Sequence, residues 1–359
     1  MNYIEIIEVL VVAFIASFLF TPAIRKLAIK LNAIDVPTEK RRVHTKPIPR
    51  LGGLAIVLGF IISLLAHFIL EISSGDIVEY DLIFKNQLMG LMLGILIIEI
   101  AGIWDDIKPI KAWTKLLFQI AAATVVVGFG VRIDFITNPF NGAMIYFPNY
   151  IAIPLTMIWI VGITNAINFI DGLDGLAAGT ASISSLSLLF ISIFWSDYEL
   201  IFLTAALAGA TLGFLPFNFN PAKIFMGEAG SAFLGFTLGT ISIMGMIKSY
   251  ATLAIVIPLV VLGLPIFDTA FAIIRRLLKG QSPMKADRGH LHHRLVDSGL
   301  TQKQAVLILY AISAVLGLAG LLIVQGMWKI IILFVIIMIF IVAGRKFVLD
   351  MSNTKEEEK

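Results

Sequence analysis

The chain contains no cysteine. A disulfide framework, a zinc–thiolate site and a thiol nucleophile are therefore excluded at the outset. Charge is also scarce: 14% of the 359 residues are Asp, Glu, Lys or Arg, where a soluble globular domain carries about 25%. Apolar residues make up 58%, and mean hydropathy is +0.95. Such a chain cannot hide its apolar side chains in one core and cover itself with polar ones, so its solvent is largely lipid. No internal repeat is visible, which removes the usual signature of an inverted-repeat transporter. The net charge of +3 and the pI near 9.0 come from basic residues lying between apolar runs, so no nucleic-acid partner is expected.

What is present is a series of apolar runs. A transmembrane helix needs about 20 mainly apolar residues. Candidate spans are 4–23, 51–70, 87–104, 115–131, 150–167, 175–195, 200–217, 231–247, 251–274, 304–324 and 329–348. The first lacks a basic leader and a small-residue cleavage site, and Arg25-Lys26 follows it, so it reads as a retained span. With the N-terminus outside, the inner segments are 24–50, 105–115, 168–174, 218–230, 275–303 and 349–359. With the adjoining helix ends these carry 23 of the 27 Lys and Arg residues. That bias predicts an extracytoplasmic N-terminus and a cytoplasmic C-terminus. The expected fold class is an all-α polytopic membrane protein of about eleven transmembrane helices. Residues 1–350 form a single transmembrane catalytic domain, and 351–359 form a disordered cytoplasmic tail. Residues 131–147 read as two short strands around Asn138-Pro139-Phe140-Asn141-Gly142, a short extracytoplasmic β-hairpin.

Four polar constellations interrupt the apolar pattern. Asp105-Asp106 follows the third span, with Lys108, Lys111 and Lys115 close behind. Adjacent carboxylates repel unless a cation or nearby lysines compensate, so this pair reads as a metal or phosphate site or as a solvated helix end. Asn165, Asn168 and Asp171 lie three apart, as neighbours on a helical surface do. Asp174 follows, and Gly172 and Gly175 permit close backbone approach to a ligand. The alternative is a polar turn. The third group runs from Asn218 to Ser231. It places Glu228 in a Gly/Ser-rich break, with Phe225 three residues earlier, either to stack on a base or simply to pack. The fourth is Asp287-Arg288-Gly289-His290-Leu291-His292-His293-Arg294. Mixed His and Arg suit a diphosphate clamp better than a three-histidine metal site. Glu99 and Asp268 are carboxylates within apolar spans. Glu99 reads as functional or as bonded to a neighbouring helix, and Asp268, with Pro258 and Pro265 before it, reads as marking a broken helix.

By the charge count all four loops fall on one face, which scattered polar turns would not do. An inventory of carboxylates, amides, lysines, arginines and histidines, without a serine–base pair, suits phosphoryl transfer. That chemistry needs positioning and charge stabilisation more than covalent catalysis. A Mg²⁺ ion held by carboxylates typically shares the substrate's phosphates. A site at a membrane surface implies one water-soluble and one lipid substrate.

Taken in order, Asp105-Asp106 with Lys115, NAIN-x2-DGLDGLA at 165–177, Phe225-Met226-Gly227-Glu228 with Gly230-Ser231, and D-x-GHLHHRL at 287–295 resemble the polyprenyl-phosphate N-acetylhexosamine-1-phosphate transferase family. Arg50-x-Gly52-Gly53 fits as well, so the resemblance covers nearly the whole chain. The histidine motif is more similar to the undecaprenyl-phosphate GlcNAc-1-phosphate transferases than to the phospho-MurNAc-pentapeptide transferase. The resemblance implies that UDP-GlcNAc and undecaprenyl phosphate give undecaprenyl-diphosphate-GlcNAc and UMP, the first step of a cell-surface polysaccharide. It implies Mg²⁺ as cofactor, with Mn²⁺ as a substitute. It implies a bacterial cytoplasmic membrane location with the site facing the cytoplasm, and it leaves a homodimer open. It also implies roles. Asp105, Asp106 and Asp171 are catalytic, with Asp105 orienting or deprotonating the lipid phosphate. Lys115, Asn165, Arg288 and Arg294 contact substrate, and Asp174 and Phe225 hold the uracil. Asn168 and Glu228 lie at the metal, and His290, His292 and His293 engage the sugar diphosphate.

The family pattern most often has Asp where this chain has Glu228, which bears on metal geometry. A phosphate monoester is mostly dianionic at neutral pH, its second pKa being about 6. Asp105 therefore need not be a strong base, and a single direct displacement is expected. Other readings are another UDP-HexNAc or UDP-MurNAc-pentapeptide as donor, a CDP-alcohol phosphotransferase and a transporter. The CDP-alcohol motif fails at Gly179, where it requires Arg, and the transporter is hinted at only by Glu99.

Overall fold

The computed structural model describes residues 3–37, 46–74, 81–137, 143–248, 255–281 and 289–327. The chain opens with α1 (Tyr3–Lys30), the short strands β1 (Ile34–Asp35) and β2 (Ile48–Pro49), and α2 (Gly53–Ser74). Next come α3 (Leu82–Ile107), α4 (Ala112–Gly128), β3 (Phe135–Thr137), β4 (Met144–Tyr146) and α5 (Asn149–Ile170). The second half holds α6 (Leu176–Trp195), α7 (Tyr198–Asn218), α8 (Gly227–Lys248), α9 (Val256–Val261), α10 (Gly263–Leu278), α11 (Leu291–Asp297) and α12 (Gln302–Val324).

Seven of these helices, α1, α2, α3, α5, α6, α7 and α12, are long and apolar enough to cross a membrane, while α4 is apolar but shorter. The protein is thus a mostly helical multi-pass membrane protein. The expected eleventh span, 329–348, and the tail 351–359 lie outside the described residues.

The organising element is α8. Every described residue from Ala229 to Gly245 is buried. Its sequence is apolar or small on all sides, as a helix enclosed by others must be. Helices α2, α3 and α5 pack against it, with α6 and α7 behind them. Where lipid replaces water, helix association depends on close packing, and small residues permit it. A Cβ built on Gly53 would fall 2.1 Å from Gly230 Cα, and one on Gly102 would fall 2.4 Å from Ala229 Cα. The first turn of α8 is thus pinched between α2 and α3. Several buried hydroxyls are satisfied within their own helices: Thr164, Thr204 and Thr211 each donate to the carbonyl four residues earlier, the local solution available without water.

Several expected boundaries need correction. Asp105 and Asp106 do not follow the third span but form the last turn of α3, because the chain turns extended only at Lys108. The expected ninth span, 251–274, is not one helix. It breaks at Leu262 between α9 and α10, and residues 249–254 lie outside the described residues. Pro265 explains the break. It has no N–H to continue the ladder from α9, yet it is tolerated in the first turn of a new helix. Helix α10 is two-faced: Phe267, Phe271, Ile274, Leu277 and Leu278 are exposed, while Leu264, Thr269, Ala272 and Arg276 are buried. Strands β3 and β4 pair antiparallel, Ile136 opposite Ile145. The turn residues 138–142 lie outside the described residues. The pairing of β1 with β2, Ile34 opposite Pro49, was not anticipated, being only two residues per strand.

The pinch at α8 has a measurable consequence. Gly53→Val should destabilise the protein by at least about 1–3 kcal/mol, since neither backbone can yield. Thermal unfolding in detergent would measure this, and an unchanged midpoint would show that the crossing is slack.

Candidate active site

Helix α8 starts inside the protein, so the amide groups of its first turn need acceptors that are not water. Asp106 supplies them. Its Oδ1 accepts from Glu228 N at 2.9 Å and its Oδ2 from Ala229 N at 3.1 Å. The turn that allows this is Gly227, at φ +77, where a Cβ would lie 2.4 Å from Asp106 Oδ2. Both oxygens of Asp106 are thereby committed to the helix end, whose positive dipole favours a carboxylate there.

With Asp106 fixed on α8, its neighbour Asp105 turns toward α4. Asp105 accepts from Ile110 N and from Lys115 Nζ, both at 2.9 Å. Lys115 also bonds Glu228 Oε2 at 2.9 Å. Asn168, on the last turns of α5, donates to the same Glu228 oxygen at 2.9 Å and to Ser231 Oγ at 2.8 Å. One lysine and one amide thus hold Glu228 from two sides. Its other oxygen, Oε1, has no hydrogen-bond partner among the described residues.

These groups open on a cleft of about 400 Å³. Asp105, Asp106, Asn168, Asp171, Asp174, Phe225, Glu228 and His293 all line it, so eight of the sequence-derived residues converge. Asp171, at the C-terminal end of α5, donates its backbone N–H to Asn168 O, while its carboxyl makes no hydrogen bond among the described residues. Burial, reinforced by the carboxylates of Asp106, Glu228 and Asp174, pushes its carboxyl up to about 7. Asp174 Oδ2 accepts from Asn220 Nδ2 at 3.0 Å and from Ala222 N at 2.9 Å, which ties the 171–175 loop to the loop before α8. Phe225 is held as a strand would be. Its N donates to Pro49 O at 2.8 Å, and its O accepts from Gly52 N at 3.0 Å.

The remaining residues stand elsewhere. Lys115 is not among the cleft-lining residues; it lies behind Asp105 and Glu228. Asn165 is a turn further back, donating to Gln119 Oε1 on α4 at 2.7 Å, so it braces two helices. Of the three histidines only His293 reaches the cleft. His290 caps α11, its Nδ1 2.9 Å from Asp268 Oδ2, while Asp268 Oδ1 accepts from Leu291 N at 2.7 Å. His292 is buried beneath the 171–175 loop, and its Nε2 has no hydrogen-bond partner among the described residues. A Cβ on Gly172 would come within 2.3 Å of that nitrogen, which is why the loop carries glycine there. Arg294 is exposed and outside the lining, and Arg288 lies outside the described residues.

Sequence reasoning missed Asp35 and Gln302, both in the lining. Asp35 pairs with Arg50, another lining residue, at 3.6 Å. No local pattern marks either. Asp35 is brought in by the β1–β2 pairing, and Gln302 by α12.

A membrane bundle with carboxylates, a lysine and a histidine gathered around one helix end defines the class of phosphoryl-transferring membrane enzymes. Sequence comparison makes this specific. Residues 88–246 match the family "Glycosyl transferase family 4". A Bacillus subtilis protein named "Probable undecaprenyl-phosphate N-acetylglucosaminyl 1-phosphate transferase" is 38% identical, over 92% of this chain and 90% of its own length. The decaprenyl-phosphate N-acetylglucosaminephosphotransferase of Mycolicibacterium smegmatis is 34% identical, over 83% and 77%. The undecaprenyl-phosphate alpha-N-acetylglucosaminyl 1-phosphate transferase of Haemophilus influenzae is 28% identical, over 87% and 85%. The chain belongs to this glycosyl transferase family 4 of polyprenyl-phosphate N-acetylhexosamine-1-phosphate transferases.

Burial of His292, with His293 and His290 adding to it, lowers its pKa from 6.5 to about 3. Above pH 6.5 it is neutral folded and unfolded. Below that the unfolded chain takes up a proton the folded one refuses, so stability falls with pH from 6.5 toward 3. At pH 5.5 the loss should be about 1 kcal/mol. Thermal unfolding at pH 7.5 and 5.5 should show a smaller decline in His292→Gln than in the parent. Equal declines would mean that His292 titrates normally.

Proposed function

We propose that this protein transfers GlcNAc-1-phosphate from UDP-GlcNAc to undecaprenyl phosphate, giving undecaprenyl-diphosphate-GlcNAc and UMP. The observation that carries the reading is the Asp105–Lys115–Glu228–Asn168 network at the buried start of α8, opening on a cleft whose lining includes Phe225 and Asp174. The names of the relatives support the undecaprenyl-phosphate acceptor and the transferred GlcNAc-1-phosphate, from which a UDP-GlcNAc donor is inferred. The bias of Lys and Arg supports a cleft facing the cytoplasm of a bacterial inner membrane, with the N-terminus and the β3–β4 pair outside.

The donor set suits a hard divalent cation. Mg²⁺ takes oxygen ligands, commonly one or two carboxylates with substrate phosphates completing its shell. Asp171 and Glu228 Oε1 are carboxylate oxygens without protein partners, and Asp171 sits among like charges. These two would hold the ion, and Asn168, whose Nδ2 is spent on Glu228 and Ser231, would orient Glu228. Bound there, Mg²⁺ would neutralise charge developing on the diphosphate. Asp106 maintains the helix end against which the phosphates sit. Lys115, paired with both Asp105 and Glu228, offsets their mutual repulsion and positions them. Asp105 aligns the lipid phosphate, already largely dianionic, for direct attack. His293, on α11, faces the sugar diphosphate.

In detergent, radiolabel from UDP-GlcNAc should pass to undecaprenyl phosphate; absence of transfer from every UDP-HexNAc tried would defeat this reading. Asp105→Asn and Glu228→Ala should each lose about 100-fold or more in kcat, as loss of a positioned charge does, with expression unchanged. Glu228→Asp should stay within about tenfold of the parent. Trapping of a phosphorylated Asp105 or Asp171 during turnover would rule out direct displacement.

A further inference from the structure

Gln302, in the first turn of α12, lines the cleft yet belongs to none of the four motifs. Its backbone is held by a capping box, Thr301 Oγ1 accepting from Gln304 N and Gln304 Oε1 from Thr301 N. Its side chain ends a hydrogen-bond chain that starts at Asp174. Asn220 Nδ2 donates to Asp174 Oδ2 at 3.0 Å and to Gln302 Oε1 at 2.8 Å.

The chemistry of the groups fixes every orientation in that chain. Asp174 Oδ2 already accepts from Ala222 N, so Asn220 must turn its NH₂ toward it. The second N–H of that NH₂ reaches Gln302, so the atom it meets must be the carbonyl oxygen. The other arm of Gln302 is then an NH₂, which only donates. Neither Asp174 Oδ1 nor Gln302 Nε2 has a hydrogen-bond partner among the described residues. The cleft therefore carries an acceptor and a donor linked through one shared nitrogen. Phe225, on the same 219–226 loop as Asn220, brings an aromatic ring to the same lining.

We infer that Gln302 determines base specificity: its Nε2 donates to the uracil O4 carbonyl, beside the N3–H that Asp174 accepts. Uracil presents a donor flanked by two acceptors. Cytosine presents an acceptor at N3 beside a donating 4-amino group, and so opposes both protein groups. The inference rests on the transferase reading above and adds to it the residue that reads the base edge.

The test uses the purified protein with UDP-GlcNAc, its 2-thio- and 4-thio-uracil analogues, and CDP-GlcNAc. A thiocarbonyl is a weak acceptor, so the parent should penalise the analogue altered at the contacted position. In Gln302→Met that penalty should vanish, KM for UDP-GlcNAc should rise about tenfold, and discrimination against CDP-GlcNAc should fall about tenfold, as for loss of one hydrogen bond. Its kcat should change less than about twofold. Gln302→Glu keeps the side-chain length and the acceptor for Asn220 but has no donor, and it should lose the same discrimination. It decides the matter if Gln302→Met does not fold. Retention of the parental thio penalty and base preference in the variants overturns the inference, even where the melting temperature falls, because a purely structural tie would behave that way. A parent that neither binds UMP nor uses UDP-GlcNAc would instead overturn the transferase reading itself.

Discussion

The first turn of α8 ends inside the protein, and its exposed N–H groups have to be capped there. That requirement organises the site. Asp106 meets it with both carboxylate oxygens. To bring α3 close enough, Gly102 packs against the Ala229 backbone, and Gly227 takes a left-handed turn over the carboxylate. Once Asp106 faces α8, the next carboxylate along the chain, Asp105, has to face elsewhere, and Lys115 of α4 receives it. Glu228 is then drawn into the same lysine. A pair of adjacent acids at a membrane boundary, which looks electrostatically uncomfortable in the sequence, divides into one group that caps α8 and one that pairs with Lys115.

The same division of labour recurs at the histidine motif. His290 and Asp268 fix the start of α11, and His292 fills the space beneath the 171–175 loop. Only His293 is left facing the cleft. Residues adjacent in a motif therefore do different work. His290 is the N-cap of α11, and on the helix itself successive side chains are rotated by about 100°, so His292 and His293 cannot point the same way. The neutral, buried His292 and the Asp268-bound His290 are supports through which His293 is aimed.

Much of this was legible in the sequence, and the exceptions have physical causes. The lipid environment, seven of the expected spans and the convergence of residues from the four motifs followed from composition, hydropathy and charge placement. Helix ends were less legible. Hydropathy stops at the first charged residue, whereas α3 continues through Asp105-Asp106 until Lys108 turns extended. The break at Leu262 was foreshadowed by Pro265, but its placement depends on which turn of α10 the proline occupies. Asn165 shares its helical surface with Asn168, yet one further turn of α5 carries it away from the cleft and onto Gln119. Asp35 and Gln302 were invisible, because they enter the site through strand pairing and the docking of α12, which no local pattern encodes.

The cleft draws on residues from Asp35, just after the first helix, to Gln302, at the start of the last described one. During synthesis the acid-and-lysine network can assemble as soon as α8 is in place. The 171–175 loop, tied earlier to the 219–226 loop through Asp174, gains its further link through Asn220 to Gln302, and the bond that the Tyr310 hydroxyl donates to Gly175 O, only when α12 arrives. A nascent chain inserting helix by helix thus passes through a stage with a formed charge cluster and a loop held on one side only. Completion of the site is deferred to a late insertion event, so a truncated or stalled chain would occupy the membrane without a finished site.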